Sequence, residues 1–208
     1  TKIATDYGPA TQEIRIFGCI NLTTVNLSVL STVAEVFISD NIKLQSVNLS
    51  NLRTVDGSLK VANCPLLTTL NLSSLQKTAK SLNVNEGLYI SNTNLTSITL
   101  PAFQKAIGGI SILDNASLQS ISFPQLIGNE LPNPIIRITG NNKLVSVDLD
   151  VLETANIVII SNNRKLVNIG LTFLSSATNL SIDNDSSITS ISLPSLSTLT
   201  SSLSIQYD

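Results

Sequence analysis

The stretch Ile38-Ser39-Asp40-Asn41-Ile42-Lys43-Leu44-Gln45-Ser46-Val47-Asn48-Leu49-Ser50-Asn51-Leu52-Arg53-Thr54-Val55 decides the fold. It reads as an apolar anchor, a polar Asp-Asn corner, then Leu, Val, Leu, Leu and Val at fixed offsets. The template recurs along the chain. Its anchors are Ile16, Ile38, Val61, Ile90, Ile112, Ile138, Ile160, Ile182 and Ile205, mostly about 22 or 23 residues apart. Longer steps before Ile90 and Ile138 mark insertions at 76–87 and 127–134. Self-similarity at this period is the signature of a solenoid, in which each repeat buries its apolar row only against its neighbours.

The pattern within a repeat says which solenoid. Ser46-Val47-Asn48-Leu49-Ser50 alternates polar and apolar, the period-2 mark of a strand with one face buried. No repeat holds the ten or more residues of helical period that a helix needs. The opening Leu-x-x-Val-x-Leu imitates a leucine-rich repeat. Where such repeats place an Asn three residues later, this chain has Leu30, Leu52, Leu75, Phe103, Leu126 and Leu152. The expectation is an all-β solenoid, a right-handed parallel β-helix of about eight to nine rungs. Residues 1–13 are expected to be an N-terminal cap or extension, and 14–208 a single solenoid domain whose last rung is incomplete.

The corner explains the Asn content. Two and three residues after an anchor stand Asp40-Asn41, Asn63-Cys64, Asp114-Asn115, Gly140-Asn141, Asn162-Asn163 and Asn184-Asp185. Asn, Asp and Gly tolerate left-handed backbone angles and bond to their own turns. Stacked on successive rungs, their side chains can form a ladder that satisfies buried polar groups.

Composition limits the function classes. The 208 residues are 42% hydrophobic but only 4% aromatic, so the core is aliphatic. Charged residues are 12%, about half the usual share, and the net charge is −2. There is no basic footprint for nucleic acid and no apolar run long enough to span a membrane as a helix. Low charge with abundant Ser, Thr and Asn leans toward an extracellular or cell-surface location. With no His in the chain, His-based triads and His–metal sites are excluded. No phosphate-binding glycine loop and no cofactor motif appears.

Few residues carry candidate chemistry. Asp148, Asp150 and Glu153 cluster on the sixth rung, with the aspartates expected about 7 Å apart on one strand; a solvated polar face is the simpler reading. Asp183 and Asp185 could offer oxygens to Ca²⁺, but corner chemistry explains them without a metal. No catalytic or metal site is therefore assigned. Cys19 and Cys64 lie in one corner column two rungs apart, roughly 9.6 Å, which exceeds the about 7 Å that a disulfide spans. They are expected not to pair with each other. Sequons stand at Asn21, Asn26, Asn48, Asn71, Asn94, Asn115, Asn179 and Asn184. Asn26, Asn48 and Asn71 take the outward position of one strand on three consecutive rungs. Asn21, Asn26, Asn48, Asn71, Asn94 and Asn179 are the glycosylation candidates; Asn115 and Asn184 fall in the corner.

The phrases Leu59-Lys60-Val61-Ala62-Asn63-Cys64-Pro65-Leu66-Leu67-Thr68-Thr69-Leu70-Asn71-Leu72-Ser73-Ser74-Leu75 and Ile121-Ser122-Phe123-Pro124-Gln125-Leu126 resemble the receptor L-domain family. The flavour is nearest to fungal cell-wall glycoproteins of the sporulation-specific and extracellular-mutant group, typically GPI-anchored. The resemblance spans nearly the whole chain and rests on a repeat pattern. It implies a secreted, N-glycosylated, non-enzymatic protein of wall organisation, with no catalytic residues to carry over. The family's Cys-containing N-terminal cap and its C-terminal anchor region are not recognisable in this sequence.

The expected function is thus structural or adhesive, with cell-wall polysaccharide or surface glycans as partners. An alternative is a carbohydrate- or ligand-binding recognition module, though only Tyr7, Tyr89 and Tyr207 are tyrosines and Trp is absent. A third is the repeating unit of an extracellular fibre or an ice-binding solenoid, self-associating through an open C-terminal rung.

Overall fold

The computed structural model describes residues 12–79, 87–128 and 135–206. These residues form strands and turns only. Nine strands build one wide parallel sheet in the order Glu13–Phe17, Glu35–Ser39, Leu59–Cys64, Leu88–Thr93, Ile110–Leu113, Ile135–Thr139, Thr154–Ser161, Ser176–Asp183, Thr198–Gln206. Two narrower parallel faces complete the coil. One consists of a three-stranded sheet from Thr24–Asn26 to Thr69–Asn71 and a four-stranded sheet from Ser97–Thr99 to Asn168–Gly170. The other has four two-residue strands from Thr32–Val33 to Lys105–Ala106. The chain is a parallel β-helix of about eight turns.

The register follows the repeat. Ile16 pairs with Ile38, Ile38 with Val61, Val61 with Ile90, and so on through Ile112, Ile138, Ile160 and Ile182 to Ile205. On the second face Val25, Val47 and Leu70 align, and beyond the break Ile98, Ile121, Val147 and Ile169 do so. With eight steps of about 4.8 Å between neighbouring strands, the coil is roughly 38 Å long.

Local chemistry makes the corners. The residue two after each anchor has positive φ on eight successive rungs: Gly18, Asp40, Asn63, Asn92, Asp114, Gly140, Asn162 and Asn184. Only residue types that tolerate this region stand there. The next residue starts a tight turn, as in Leu44 N–H to Asn41 C=O at 3.1 Å and Leu166 N–H to Asn163 C=O at 2.8 Å. A second tight turn follows the second face, as in Leu52 N–H to Leu49 C=O at 3.0 Å. That turn uses the Leu/Phe column which replaces the leucine-rich-repeat Asn, and Leu52, Leu75, Phe103, Leu126 and Leu152 are fully buried there.

The core is a continuous aliphatic column with Phe103 and Phe123 at its centre. The two ends differ. In the first rung Ile14, Ile16, Val25 and Val33 are all buried. In the last, Leu203 and Ile205 are 48% and 36% exposed, and the strand Thr198–Gln206 carries no charge and no proline. Most of the expected insertions and of the N-terminal cap lies outside the described residues. The wide sheet nevertheless begins at Glu13, one residue before the expected domain boundary, because Glu13 pairs with Glu35.

Candidate functional site

The most organised polar feature is the inner corner column, Cys19, Asn41, Cys64, Thr93, Asn115, Asn141, Asn163 and Asp185. Its Asn and Asp members are fully buried. Burying amides is costly unless each donor and acceptor finds a partner, and here the spacing of rungs supplies them. Asn141 Oδ1 accepts the backbone N–H of Asn115 at 3.0 Å and its Nδ2 at 3.3 Å. Asn141 Nδ2 donates to the carbonyls of Ile112 at 3.0 Å and Thr139 at 3.2 Å, and to Asn163 Oδ1 at 3.2 Å. Asn163 repeats this, with Nδ2 on the Ile138 carbonyl at 3.0 Å and Oδ1 accepting the Asn141 N–H at 3.0 Å. The ladder starts at Thr93, whose N–H and Oγ1 both donate to Asn115 Oδ1.

Cys64 interrupts the column. Its buried thiol donates to the Ala62 carbonyl at 3.3 Å, and burial pushes its pKa up, away from a reactive thiolate. Cys19, partly exposed, gives its backbone N–H to Asn41 Oδ1 at 2.9 Å. Both cysteines are free thiols, with Asn41 between them in the column.

Asp185 ends the described ladder and breaks its logic. Oδ1 accepts the Asn163 N–H at 2.6 Å, as an Asn would. Oδ2 occupies the place of the donating Nδ2, is buried, and finds no partner. By the register its counterpart carbonyl is that of Ile160, also an acceptor, so a protonated carboxyl restores the pattern and a carboxylate violates it. Burial accordingly raises the Asp185 pKa to about 6; the Asn163 hydrogen bonds pull the other way, and the charge of Asp183 adds to the rise. Asp183 is the titratable neighbour; its carboxylate accepts from Ser181 Oγ and from Ser204 Oγ. The folded state thus holds a proton that the unfolded chain releases near pH 3.8. Stability is highest below that value and falls as pH rises through about 6. After discounting for solvent screening the loss is about 1–2 kcal/mol. Asp185→Asn is expected to be more stable than the parent at about pH 7.5 and to flatten this slope. Melting curves from about pH 4 to 7.5 check it, and an unchanged slope in the variant would refute the assignment.

The expected carboxylate cluster does not assemble as a catalytic pair. Asp148 ends the strand Ser146–Asp148, whereas Asp150 lies beyond it, because the second tight turn, Leu152 N–H to Leu149 C=O, has begun. Asp148 accepts from Ser122 Oγ at 2.8 Å and from the Asp150 N–H at 3.3 Å. Asp150 accepts from the Thr172 N–H at 3.1 Å and from Thr172 Oγ1. Each carboxylate ties one rung to the next, and Glu153 is exposed in the loop. Among the described residues no group of three or more His, Cys, Asp or Glu is placed to hold a metal ion, Asp183 and Asp185 included.

A feature that sequence reasoning missed runs down the outer side of the wide sheet. Arg15, Phe37, Lys60 and Tyr89 are in register on four rungs. The Arg15 guanidinium lies 5.7 Å from the Phe37 ring centre, and Lys60 Nζ lies 5.3 Å from Phe37 and 4.8 Å from Tyr89. Glu13 and Glu35 flank Arg15, and the Glu13 hydrogen bond raises the Arg15 pKa. The signal was present as one position per repeat, one before each anchor, but these residues share no chemical type. Arg15 and Lys60 lie against Phe37, and Lys60 against Tyr89, at positions where a sugar would otherwise stack.

The sequons sort by what their side-chain amides do. On the second face Asn26, Asn48 and Asn71 are in register. Asn26 is exposed; Asn48 and Asn71 are half-buried. Each Oδ1 accepts the N–H two residues on, from Ser28, Ser50 and Ser73 at 3.2, 3.2 and 3.1 Å. Asn48 Nδ2 also donates to Asn26 Oδ1 at 3.2 Å. Asn21, Asn94 and Asn179 accept from Lys43 Nζ, Ser117 Oγ and Ser202 Oγ. In the corner, Asn115 is fully buried with Nδ2 on the carbonyls of Ile90 and Leu113, and exposed Asn184 donates to Asn162 Oδ1. In comparisons with known proteins, no family model, no curated protein and no solved structure matches the chain.

Proposed function

We propose that this chain is a non-enzymatic, secreted or cell-surface glycoprotein whose solenoid serves as a rigid structural or adhesive rod in a cell wall or on a cell surface. The observation that carries this reading is the outward row Asn26, Asn48 and Asn71, three sequons in register on one face of the rod. The resemblance of the repeat to the receptor L-domain family and its wall-glycoprotein members points the same way. So does the side-chain chemistry of the second face, whose outward rows are hydroxyls and amides such as Thr24, Ser46, Thr69, Ser97, Thr99, Ser120 and Ser122. Such a surface hydrates well, bears short polar groups of low conformational entropy, and can meet wall polysaccharide through many weak hydrogen bonds. The cations on both sides of Phe37 in the row, with Lys60 also against Tyr89, favour this over tight, stacked recognition of one sugar.

The test is expression through a eukaryotic secretory pathway. The expected product is secreted and loses mass on digestion with an N-glycan-removing amidase. It is also expected to sediment with insoluble wall polysaccharide while giving no saturable signal on an array of short glycans. A secreted product without glycans that stays in the supernatant would sink the reading; saturable array binding would move it to a recognition module.

A further inference from the structure

The three stacked sequons are not equivalent, and we infer that Asn26 and Asn71 carry N-glycans while Asn48 between them stays bare. This rests on the secreted-glycoprotein reading and deepens it by assigning which side chains are modified.

In N-glycan transfer the amide Nδ2 attacks the anomeric carbon of a lipid-pyrophosphate-linked oligosaccharide. The N–C bond forms, the bond from that carbon to the phosphate oxygen breaks, Nδ2 gives up one proton, and the lipid pyrophosphate leaves. Nothing is oxidised or reduced. The product needs room around Nδ2 and a free direction away from the sheet.

Asn48 has neither. Its Nδ2 is directed along the coil into Asn26 Oδ1, at 3.2 Å. Its neighbours in the row stand one rung above and one below, each about 4.8 Å away. A sugar ring is as wide as that gap, so roots on adjacent rungs collide, whereas Asn26 and Asn71 are two rungs and about 9.6 Å apart. All three Oδ1 atoms face the N–H two residues on, from Ser28, Ser50 and Ser73, so each Nδ2 is directed away from its own turn, and what sets Asn48 apart is that its Nδ2 ends on Asn26 Oδ1. Transfer to the nascent chain precedes folding, but the rungs stack only in chains whose row can be accommodated. The folded, secreted population is therefore the one without a glycan on Asn48.

Site-resolved glycopeptide mass spectrometry on the secreted, folded protein tests this, with the Asn26→Gln/Asn71→Gln double variant alongside. The expected result is high occupancy at Asn26 and Asn71 and at least tenfold lower occupancy at Asn48. In the double variant, removing both neighbouring roots is expected to raise Asn48 occupancy severalfold. Molecules glycosylated on all three row positions, or an Asn48 that stays empty in the double variant, overturn the exclusion and leave the glycoprotein reading intact. A secreted protein bare at every sequon overturns both, so the two failures are distinguishable.

Discussion

Asn141→Leu is expected to destabilise the protein by roughly 3–5 kcal/mol, although leucine is nearly isosteric with asparagine and the position is fully buried. The hydrophobic gain is overwhelmed by what is stranded. The Asn115 N–H and Nδ2 lose Oδ1, and the Ile112 and Thr139 carbonyls lose Nδ2, all inside the coil. The Asn115 N–H loses its acceptor outright, which costs about 1–3 kcal/mol, whereas Asn115 Nδ2 keeps the Ile90 and Leu113 carbonyls and the Thr139 carbonyl keeps the Asp114 N–H, so each of those lost bonds costs about 0.5–1.5 kcal/mol. Asn141→Asp isolates the donor half of the ladder. It keeps Oδ1 and replaces only Nδ2, repeating at mid-coil the situation of Asp185. Protonated, it donates one of the lost bonds; ionised, it places a charge against two carbonyls. The variant is expected to lie near the parent at about pH 4 and well below it at about pH 8, a steeper slope than Asp185 gives the parent. Chemical unfolding at the two pH values reads this directly, and a leucine variant within about 1 kcal/mol of the parent would refute the ladder's role in stability.

Much of this was legible in the sequence because a solenoid repeats its constraints. One position per repeat had to be apolar, one had to tolerate positive φ, one had to bridge rungs, so Ile38, Asp40 and Asn41 predicted their counterparts down the chain. What escaped were features that do not repeat. The strands Thr154–Ser161, Ser176–Asp183 and Thr198–Gln206 are eight or nine residues long, because in the last rungs the third face runs on into the wide sheet. Earlier rungs break there, and at one of these breaks stands Gly109. Its φ is +90 and a Cβ would sit 2.5 Å from the Ile135 carbonyl oxygen, so that corner admits only glycine. The two-residue strands such as Thr32–Val33 are too short to show any period. The candidate carboxylates were misplaced for a related reason. Spacing put Asp148 and Asp150 on one strand, but the turn at Leu149–Leu152 ends that strand first, and Thr172 of the next rung takes Asp150. The Arg15–Phe37–Lys60–Tyr89 row depends on contacts between unlike side chains, which no residue-type pattern encodes.

Phe103→Ala is expected to cost about 3–5 kcal/mol and to change how the protein unfolds, not only when. Phe103 is fully buried in the column that elsewhere holds leucine, on the rung that is one residue shorter between its anchor and this position. Its ring meets that of Phe123 on the next rung edge to face, at 5.8 Å between centroids and 69° between planes. Such pairs add about 0.5–1.5 kcal/mol beyond the area they bury, so a Phe103→Leu/Phe123→Leu cycle should show coupling of that size. In a one-dimensional array each rung is held by its two neighbours, and a cavity at the centre weakens both interfaces at once. The N-terminal and C-terminal parts of the coil then have no shared rung strong enough to keep them cooperative. Denaturation of Phe103→Ala is expected to show two transitions where the parent shows one, and hydrogen exchange should accelerate first around rungs four and five. The same truncation at the last rung, Leu203→Ala, removes a side chain already 48% exposed and is expected to cost under about 1 kcal/mol without splitting the transition. A single, merely shifted transition in Phe103→Ala would mean that the rungs are coupled over more than nearest neighbours. The Asn115–Asn141–Asn163 ladder, which starts at Thr93 on the rung of Phe103, would then be the element that couples them.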